Sequence, residues 1–493
     1  MCGGRPLLQK EHDAAPMIAR DRTAIRRNDL SRPIRTALRD GVLSDQTDVL
    51  DYGCGHGDDV RYLEEAGIRA SGWDPAHRPD GLRKTADVVN LGYVVNVVEN
   101  PEERADSLRS AWKFANRLLI VTARLKSDLV LREFEVLEDG YVTRLQTFQK
   151  FYEQQELRDW IQEVVGETPV AAAPGIFYVF RHPDEREQYL ASRYRRRIAA
   201  PRIRISDRLF EEHEAQLQTV MTFMAERGRL PESDEVQNGA ELSAIFGSMR
   251  RAFQVVRRVT GEEQWELITS ERRADLLVYM ALGRFPRRPA FLALPNDLQR
   301  DIKAFFKTYK AASALGDALL FEAGNMMKVD SACRAAEFGK LMPAALYVHL
   351  GGLNRLSPVL RVYEGCARVL SGEIVGANIV KLRRDEPRVS YLSYPAFDVE
   401  AHPVLDFSVR VDLRSFNIKN RDFRGSENRP ILHRKELFVP HDYPGREVFE
   451  KLTAFEVSLG LLDESSYIGL EKPWNELLLS RGYEVRGNEI MSL

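Results

Sequence analysis

Residues 49–57 constrain the fold of this chain more than any other segment. They read Val-Leu-Asp-Tyr-Gly-Cys-Gly-His-Gly, so that an apolar run ends at Asp51 and glycines follow at positions 53, 55 and 57. A glycine has no side chain to keep a ligand away from the backbone. An apolar pattern typical of a helix comes next. A strand, a glycine loop and a helix in this order predict that a ligand binds at the loop.

Further strands and helices are predicted as far as residue 181. An apolar stretch at 70–73 ends in Asp74, and a buried strand at 86–93 ends in polar residues. Strands that are apolar throughout are typical of a parallel sheet covered on both faces. The remaining predicted elements are a helix at 101–115, strands at 118–122 and 143–152, a helix at 155–165 and a strand at 175–181. Together they predict an α/β fold with a doubly wound sheet.

The loop reads Asp-x-Gly-x-Gly-x-Gly and not the dinucleotide fingerprint Gly-x-Gly-x-x-Gly. It resembles the first motif of class I S-adenosylmethionine-dependent methyltransferases, and the order of the elements resembles their Rossmann-like sheet, which ends in an antiparallel strand. In that fold the acid after the second strand, here Asp74, accepts hydrogen bonds from the ribose. The resemblance implies S-adenosylmethionine as cofactor, bound by Asp51, Gly53, Cys54, Gly55, Gly57, Asp74, Asp87 and Asn90.

The segment Asn90-Leu-Gly-Tyr93 occupies the place where DNA amino-methyltransferases carry Asn/Asp-Pro-Pro-Tyr/Phe. The asparagine and the aromatic residue are at the matching spacing, but both prolines are missing, so the methylated atom stays open. Methyl transfer is an in-line displacement that depends on holding the acceptor in a near-attack geometry, and it needs no metal. We predict Asn90 and Tyr93 as the catalytic residues. The alternative is that they are unrelated to the acceptor, as in class I enzymes with other substrates.

Motifs along the chain resemble a family of methyltransferases encoded beside bacterial DNA phosphorothioation systems. The resemblance covers nearly the whole chain and implies a role in DNA modification or in restriction-type phage defence. It also implies DNA, and proteins of the phosphorothioation or restriction system, as partners. The motifs are Arg-Thr-Ala-Ile-Arg-Arg-Asn-Asp-Leu-Ser-Arg-Pro at 22–33, the glycine loop, Gly-Trp-Asp-Pro at 72–75, Val-Val-Asn-Leu-Gly-Tyr-Val-Val-Asn-Val at 88–97 and Pro-Ile-Leu-His-Arg-Lys-Glu at 430–436.

Composition shifts predict five segments. A flexible tail at 1–18 precedes the methyltransferase domain at 19–183, and a basic connector at 184–205 follows it. The pattern at 206–328 is helical, and 329–493 alternates strands and helices as an α+β domain that is a candidate for DNA or target recognition.

Several cationic patches are candidates for contacts with an acidic substrate or with nucleic acid. In a helix, positions 300, 303, 307 and 310 fall in one line, which suits a row of phosphates. Each patch has a second interpretation as a solvated surface. The patch at 433–435 could also be a charged sheet edge. The candidates are Arg22 and Arg26, then Arg195, Arg196 and Arg197, then Arg300, Lys303, Lys307 and Lys310, and finally His433, Arg434 and Lys435.

Composition excludes several classes of protein. The 493 residues have a net charge of −2, so any binding to nucleic acid must come from local patches. The four cysteines form no Cys-x-x-Cys pair, which argues against a structural zinc site and against a disulfide framework. No apolar run approaches the ~18 residues of a membrane span, and the N-terminus lacks a signal-peptide core. We therefore expect a soluble, cytoplasmic protein without a metal site.

Three functions agree with these patterns. The first is a DNA methyltransferase whose C-terminal part recognises the target. The second is a methyltransferase for a small molecule, an RNA or a protein. The third is a non-catalytic module that binds the cofactor as a regulator or scaffold in a defence complex.

Overall fold

The computed structural model describes residues 18–27, 29–128, 135–194, 208–285, 287–463 and 466–493. The chain forms two compact units, Met1–Arg181 and His182–Leu493, and each is described by itself. Within the described ranges, none of the helices combines the length and the apolarity that crossing a membrane requires.

A six-stranded sheet forms the centre of the N-terminal unit. The strands of this unit are β1 (Val49–Tyr52), β2 (Ala70–Trp73), β3 (Ala86–Gly92), β4 (Ala115–Thr122), β5 (Glu135–Leu137), β6 (Gly140–Val142), β7 (Phe148–Gln149), β8 (Val170–Ala173) and β9 (Ile176–Phe180). Its helices are α1 (Arg32–Arg39), α2 (Asp58–Glu65), α3 (Pro101–Phe114) and α4 (Gln154–Val165). The sheet has the order β2-β1-β3-β4-β9-β8, in which β9 alone runs antiparallel to its neighbours.

The predicted α/β class is confirmed, and the residues explain the sheet. Every position of β1 and of β9 is buried, as expected for central strands with both faces covered. Helix α3 begins where the sequence predicts, since the Asn100 side chain accepts the N–H groups of Glu102 and Glu103 and Pro101 needs no acceptor for an N–H of its own.

One predicted strand is wrong. Residues 143–152 do not enter the main sheet, and of this stretch Phe148–Gln149 forms β7 in a separate three-stranded sheet, β5-β6-β7. The edge position is filled by β8, whose Val-Ala-Ala-Ala sequence is completely buried. Alanine has a low propensity for strands, so this segment carries no clear strand signal in the sequence.

The C-terminal unit begins with helices. They are α5 (Pro183–Ser192), α6 (Arg208–Glu212), α7 (Glu214–Arg227), α8 (Gly239–Phe246), α9 (Met249–Thr260), α10 (Glu262–Leu282), α11 (Asn296–Phe306), α12 (Tyr309–Gly324) and α13 (Met326–Arg334). The predicted single helix that would align positions 300 to 310 is wrong. Helix α11 ends at Phe306, Lys307 has a left-handed φ of +64°, and the Thr308 side chain caps α12.

An antiparallel six-stranded sheet follows. Its strands, in both chain order and spatial order, are β10 (Lys340–Met342), β11 (Ala345–His349), β12 (Ile379–Arg383), β13 (Arg388–Ser393), β14 (Phe407–Asp412) and β15 (Asn417–Asp422). The inner face packs in one core with helix α14 (Pro358–Ser371) through side chains that include Val380, Tyr391 and Val409. The chain ends with α15 (Arg446–Ser458), α16 (Glu471–Ser480) and the hairpin β16 (Tyr483–Arg486) and β17 (Glu489–Ser492).

Candidate active site

A cleft of about 560 Å³ lies at the carboxyl ends of strands β1 to β4. This edge is where ligands bind in open α/β sheets. Asp74 follows β2, the glycine loop follows β1, Tyr93 follows β3 and Arg124 follows β4, and all four line the cleft. Adjacent strands are about 4.8 Å apart, so the three steps from β2 to β4 span about 14 Å. The cleft is therefore long enough for a cofactor and an acceptor side by side.

The glycine loop has the backbone that only glycine adopts without strain. Gly53, Gly55 and Gly57 have φ angles of +86°, +53° and +80°. A Cβ atom at Gly53 would overlap the Val94 side chain, and one at Gly55 would lie 3.0 Å from the Ala24 Cβ atom. Gly53, Cys54 and Gly55 line the cleft, whereas Gly57 is the N-cap residue of helix α2 and does not line it.

The Asp74 carboxylate holds the loop in place. Its Oδ2 atom accepts the Gly55 N–H group at 3.0 Å, and its Oδ1 atom accepts the N–H groups of Ala76 and His77 at 2.9 Å each. A carboxylate offers about four lone-pair positions, so one remains for a ligand hydroxyl. Asp74 thus shapes the cleft and retains the capacity for the predicted ribose contact.

Asp51 and Asn90 lie beneath the loop and do not line the cleft. The Asn90 Nδ2 atom donates to Asp51 Oδ1 at 2.8 Å, and both residues are buried. Burial, aided by the nearby charge of Asp59, raises the pKa of Asp51 to about 7. The Asn90 amide nitrogen is thus bound to a carboxyl group that supports the loop, whereas its Oδ1 atom has no hydrogen-bond partner among the described residues. A direct contact of Asn90 with the acceptor stays a prediction.

Asp87 is also wrong as a cofactor ligand. It is the second residue of β3, and its carboxylate accepts the Asp48 N–H group at 3.0 Å, just before β1 begins. This is the amino end of the parallel strands, opposite the cleft. The residue joins two strands and has no access to a ligand at the carboxyl edge.

Tyr93 lies where the sequence predicts, with an unusual backbone. Its φ of +64° is left-handed, and its N–H group donates to the Thr122 carbonyl at 2.9 Å. Such a conformation costs a non-glycine residue free energy and is concentrated at functional sites. Burial raises the pKa of the Tyr93 hydroxyl, and the charges of Arg32, Arg27 and Arg124 oppose that rise.

The segment before α1 borders the same cleft. Thr23 and Arg27 line it, as does Arg32, the first residue of α1, whereas Arg22 and Arg26 do not. Arg26 instead approaches Asp58 at 3.9 Å. The sequence analysis did not name Arg27, Arg32, Arg124 or Asn96 as site residues, although the motifs at 22–33 and 88–97 contain the first two and the last. They belong to separate segments that meet only in the fold.

A family model matches most of the N-terminal unit. Residues 22–164 match the family model described as "Methyltransferase domain". The N-terminal unit contains a methyltransferase domain. The cleft fits the predicted cofactor, S-adenosylmethionine, because the open glycine backbone and the Asp74 carboxylate lie at the sheet edge where such a ligand binds.

Solved structures similar to part of the chain are also methyltransferases. The 1,6-didemethyltoxoflavin-N1-methyltransferase of Burkholderia thailandensis is 16% identical, with 30% of this chain and 78% of that chain covered and a TM-score of 0.23. The magnesium protoporphyrin IX methyltransferase of Synechocystis PCC 6803 is 17% identical, with 30% and 80% covered and a TM-score of 0.22. Both contain S-adenosylhomocysteine.

A sugar N-methyltransferase of Streptoalloteichus sp ATCC 53650 is 13% identical, with 37% of this chain and 98% of that chain covered and a TM-score of 0.25. Because all three TM-scores lie below 0.5, nothing about the acceptor of this methyltransferase domain follows from them. None of the curated proteins compared with the chain matches it.

The cationic candidates outside the methyltransferase domain have mixed outcomes. Arg195, Arg196 and Arg197 lie outside the described residues. Arg300 is bound to Asp234 at 2.7 Å and to Glu235 at 3.4 Å, which leaves it little capacity for a phosphate. Lys303, Lys307 and Lys310 are exposed, but they belong to α11, the break after it and α12.

The predicted cluster at 433–435 is not a surface site. His433 and Lys435 are only 3% and 1% exposed. The Lys435 ammonium donates to the Phe397 carbonyl at 2.8 Å and to Asn488 Oδ1 at 2.7 Å, so buried oxygens surround it. Arg434 is half-exposed and lies 3.6 Å from Glu436. His433 and Lys435 are therefore structural, since neither side chain reaches solvent.

One group has the composition of a metal site. Ligand atoms of His402, His433 and Glu456 all lie within 4.8 Å of one another. However, the Trp474 N–H group donates to His402 Nδ1 at 3.1 Å, so the ring proton is on Nε2, which contacts Glu456 at 2.5 Å. A protonated nitrogen has no lone pair for a metal. Trp474, His402 and Glu456 thus form a hydrogen-bonded chain, with the His433 ring packed beside it.

Proposed function

We propose that this protein is an S-adenosylmethionine-dependent methyltransferase whose acceptor is DNA. The supporting observation is the set of groups at the β3 and β4 side of the cleft, opposite Asp74. The Tyr93 ring offers a stacking surface, and Arg32 and Arg124 have no ion-pair partner among the described residues. The buried Asn96 Oδ1 atom also has no hydrogen-bond partner among the described residues.

These groups match the parts of a nucleotide. An arginine pairs with phosphate, an aromatic ring stacks on a base, and a buried carbonyl oxygen needs a donor such as an amine. A base that reacts in a duplex must first leave the stack, so the site needs a surface to receive it. The Asn96 amide is oriented by its own donation to Gln149 Oε1 at 3.0 Å, which points its carbonyl oxygen away from that partner.

The residues then have separate roles in transfer. S-adenosylmethionine supplies an electrophilic methyl group when bound. The glycine loop and Asp74 position that cofactor, and Asp51 with Asn90 supports the loop from below. Tyr93 and Asn96 orient the acceptor, and holding the reacting atoms in line is the main contribution of such an enzyme.

A role in DNA phosphorothioation or restriction-type phage defence extends this proposal. It is supported by the motif resemblance at 22–33, 51–57, 72–75, 88–97 and 430–436. Proteins of such a system would then be its partners.

Transfer of a tritiated methyl group to duplex DNA, single-stranded DNA, RNA and protein by the full chain tests the proposal. We expect label in DNA, a raised KM for DNA in Arg124→Gln, and a lowered kcat in Asn96→Leu. Arg109→Gln removes an exposed arginine on α3, which is paired with Asp106, and serves as the matched control. Label in another acceptor alone, or in none, refutes DNA as the acceptor.

A further inference from the structure

The antiparallel sheet of the C-terminal unit carries three cations and a serine in one row across four strands. The register pairs Lys381 with Ser390, Ser390 with Arg410, and Arg410 with Lys419. These four residues therefore form one straight row from β12 to β15. With neighbouring strands about 4.8 Å apart, the row is about 14 Å long. We call it the cationic row.

The cationic row lies on the face of the sheet opposite α14. The flanking residues Val380, Val409 and Val411 point to the opposite face and are buried in the core shared with α14. Side chains alternate between the two faces of a strand, so the row points outward. Arg410 and Lys419 are exposed, and Lys381 is half-buried with its ammonium over the Tyr347 ring at 5.1 Å.

The neighbouring set of register-paired residues on the same face adds one more cation. Arg421 lies two residues beyond Lys419, paired in register with Ser408. Its guanidinium lies over the Phe423 ring at 4.5 Å, which fixes its direction. The face thus combines arginine, lysine and serine side chains, the groups that most often contact phosphate oxygens.

None of these cations is neutralised within the part of the chain that the structure describes. The acids on the same face, Asp412 and Asp406, already pair with Arg388 at 3.2 Å and with Arg429 at 3.3 Å. Arg410 and Lys419 stand directly opposite each other, which is an unfavourable pair in an antiparallel sheet. A bound polyanion would remove that repulsion.

Protection of a sheet edge does not account for the row. Lysines on an edge strand prevent pairing with other chains, and this would explain Lys419 and Arg421 on β15. It does not explain Lys381 and Arg410, since β12 and β14 are paired on both sides. The charge extends over the interior of the sheet, where edge protection has no purpose.

We propose that the cationic row, together with Arg421, binds the sugar-phosphate backbone of DNA. The choice of DNA among polyanions rests on the proposed function. One strand of a duplex carries a phosphate about every 3.4 Å along the axis, so a row of about 14 Å spans about four phosphates. Contacts of this kind hold and orient the nucleic acid without reading its sequence.

Fluorescence anisotropy with a labelled duplex and the full chain tests this surface. The variant Lys381→Thr/Arg410→Thr/Lys419→Thr keeps residues that favour strands. We expect at least tenfold weaker binding, and a plot of log K against log salt that is shallower by about three units. The charge-preserving Arg410→Lys should retain binding within about threefold, because phosphate contacts require mainly charge.

A matched control removes three exposed cations elsewhere in the same unit. It is Arg250→Ala/Lys328→Ala/Lys451→Ala, on helices α9, α13 and α15, where alanine is well tolerated. We expect the control to bind as the wild type does. Equal weakening in both triple variants would mean that overall charge, and not this face, controls binding, and the proposal would be overturned.

Other outcomes separate this proposal from the proposed function. Wild-type affinity in the strand variant would overturn the surface even if DNA is methylated. Binding through the row without methyl transfer would support the surface and refute DNA as the acceptor. If poly-glutamate displaces DNA when both are present at the same concentration of charges, the face binds acidic proteins. If the protein binds only anionic vesicles, the face binds membranes. Either result overturns the proposal.

Circular dichroism and melting temperature show whether the strand variant is folded. If it is not folded, Arg410→Gln alone provides the test.

Discussion

Replacing Gly53 by alanine tests whether the glycine loop sets the shape of the cleft. Gly53 has a φ of +86°, and an added Cβ atom would overlap Val94 in the cleft wall. The left-handed backbone costs a non-glycine residue roughly 1–2 kcal/mol. Forcing an extra methyl group into a packed site adds about 1–3 kcal/mol. We therefore expect Gly53→Ala to lower the free energy of unfolding of this unit by about 2–5 kcal/mol.

Gly41→Ala is the matched control in the same unit. Its φ is +72°, but nothing lies within 4 Å of the added Cβ atom. It should therefore lose only the backbone term of roughly 1–2 kcal/mol. The difference between the two variants isolates the overlap with Val94.

Two assays on the full chain measure these effects. Urea-dependent hydrogen exchange of peptides from 49–65 reports the local stability, and calorimetry reports the Kd for S-adenosylmethionine. Gly53→Ala should weaken binding at least tenfold, which is about 1.4 kcal/mol, because the displaced Val94 moves the cleft wall. Gly41→Ala should bind as the wild type does. Equal losses of stability in the two variants, or an unchanged Kd in Gly53→Ala, would refute this account of the loop.

Three other substitutions test separate parts of the site. Asp74→Asn should weaken cofactor binding about 10–100-fold in calorimetry, because a charged acceptor worth about 1.5–3 kcal/mol is lost; wild-type affinity would exclude the ribose contact. Tyr93→Ala should lower turnover while the Kd for S-adenosylmethionine stays within about twofold, and loss of cofactor binding would place Tyr93 in the cofactor site instead. The pKa of Asp51 is raised by burial to about 7, above about 3.9 in the unfolded chain. The folded protein therefore holds an extra proton between about pH 4 and 7, and its stability falls as pH rises through that window. Asp51→Asn should flatten this dependence in urea unfolding at pH 5 and pH 8, and an unchanged slope would contradict the assigned pKa.

The part of the cleft that could be predicted from the sequence is the part that a short local segment determines. A glycine loop between a strand and a helix, followed by a strand that ends in Asp74, defines its own geometry. The wrong strand at 143–152 had no such local determinant, because its neighbours decide whether a mixed polar segment joins a sheet. The all-alanine part of β8 is completely buried and pairs with β9, and neither feature shows in its own sequence.

Charged and polar residues were harder to place for a different reason. His433, Arg434 and Lys435 are adjacent in sequence, yet two of them are buried. Lys435 donates to oxygens of distant segments, and His433 packs against the rings of His402 and Trp474. The line at 300–310 required an unbroken helix, and the left-handed Lys307 breaks it. Arg32, Asn96 and Arg124 meet in the cleft from separate segments, so no local spacing reveals them.

The cationic row shows why charge runs in sequence are weak evidence for binding. Its members at 381, 410 and 419 are separated by 29 and 9 positions and are aligned only by strand register. By contrast, Arg300 and Arg26, which belong to predicted patches, are close to acids in the fold. A net charge of −2 gives no information about either group. The cationic row differs from these patches in that no carboxylate pairs with its side chains among the described residues. Its charge is therefore available to a ligand. A binding surface of this kind should therefore show a steep dependence on salt in a protein that is acidic overall.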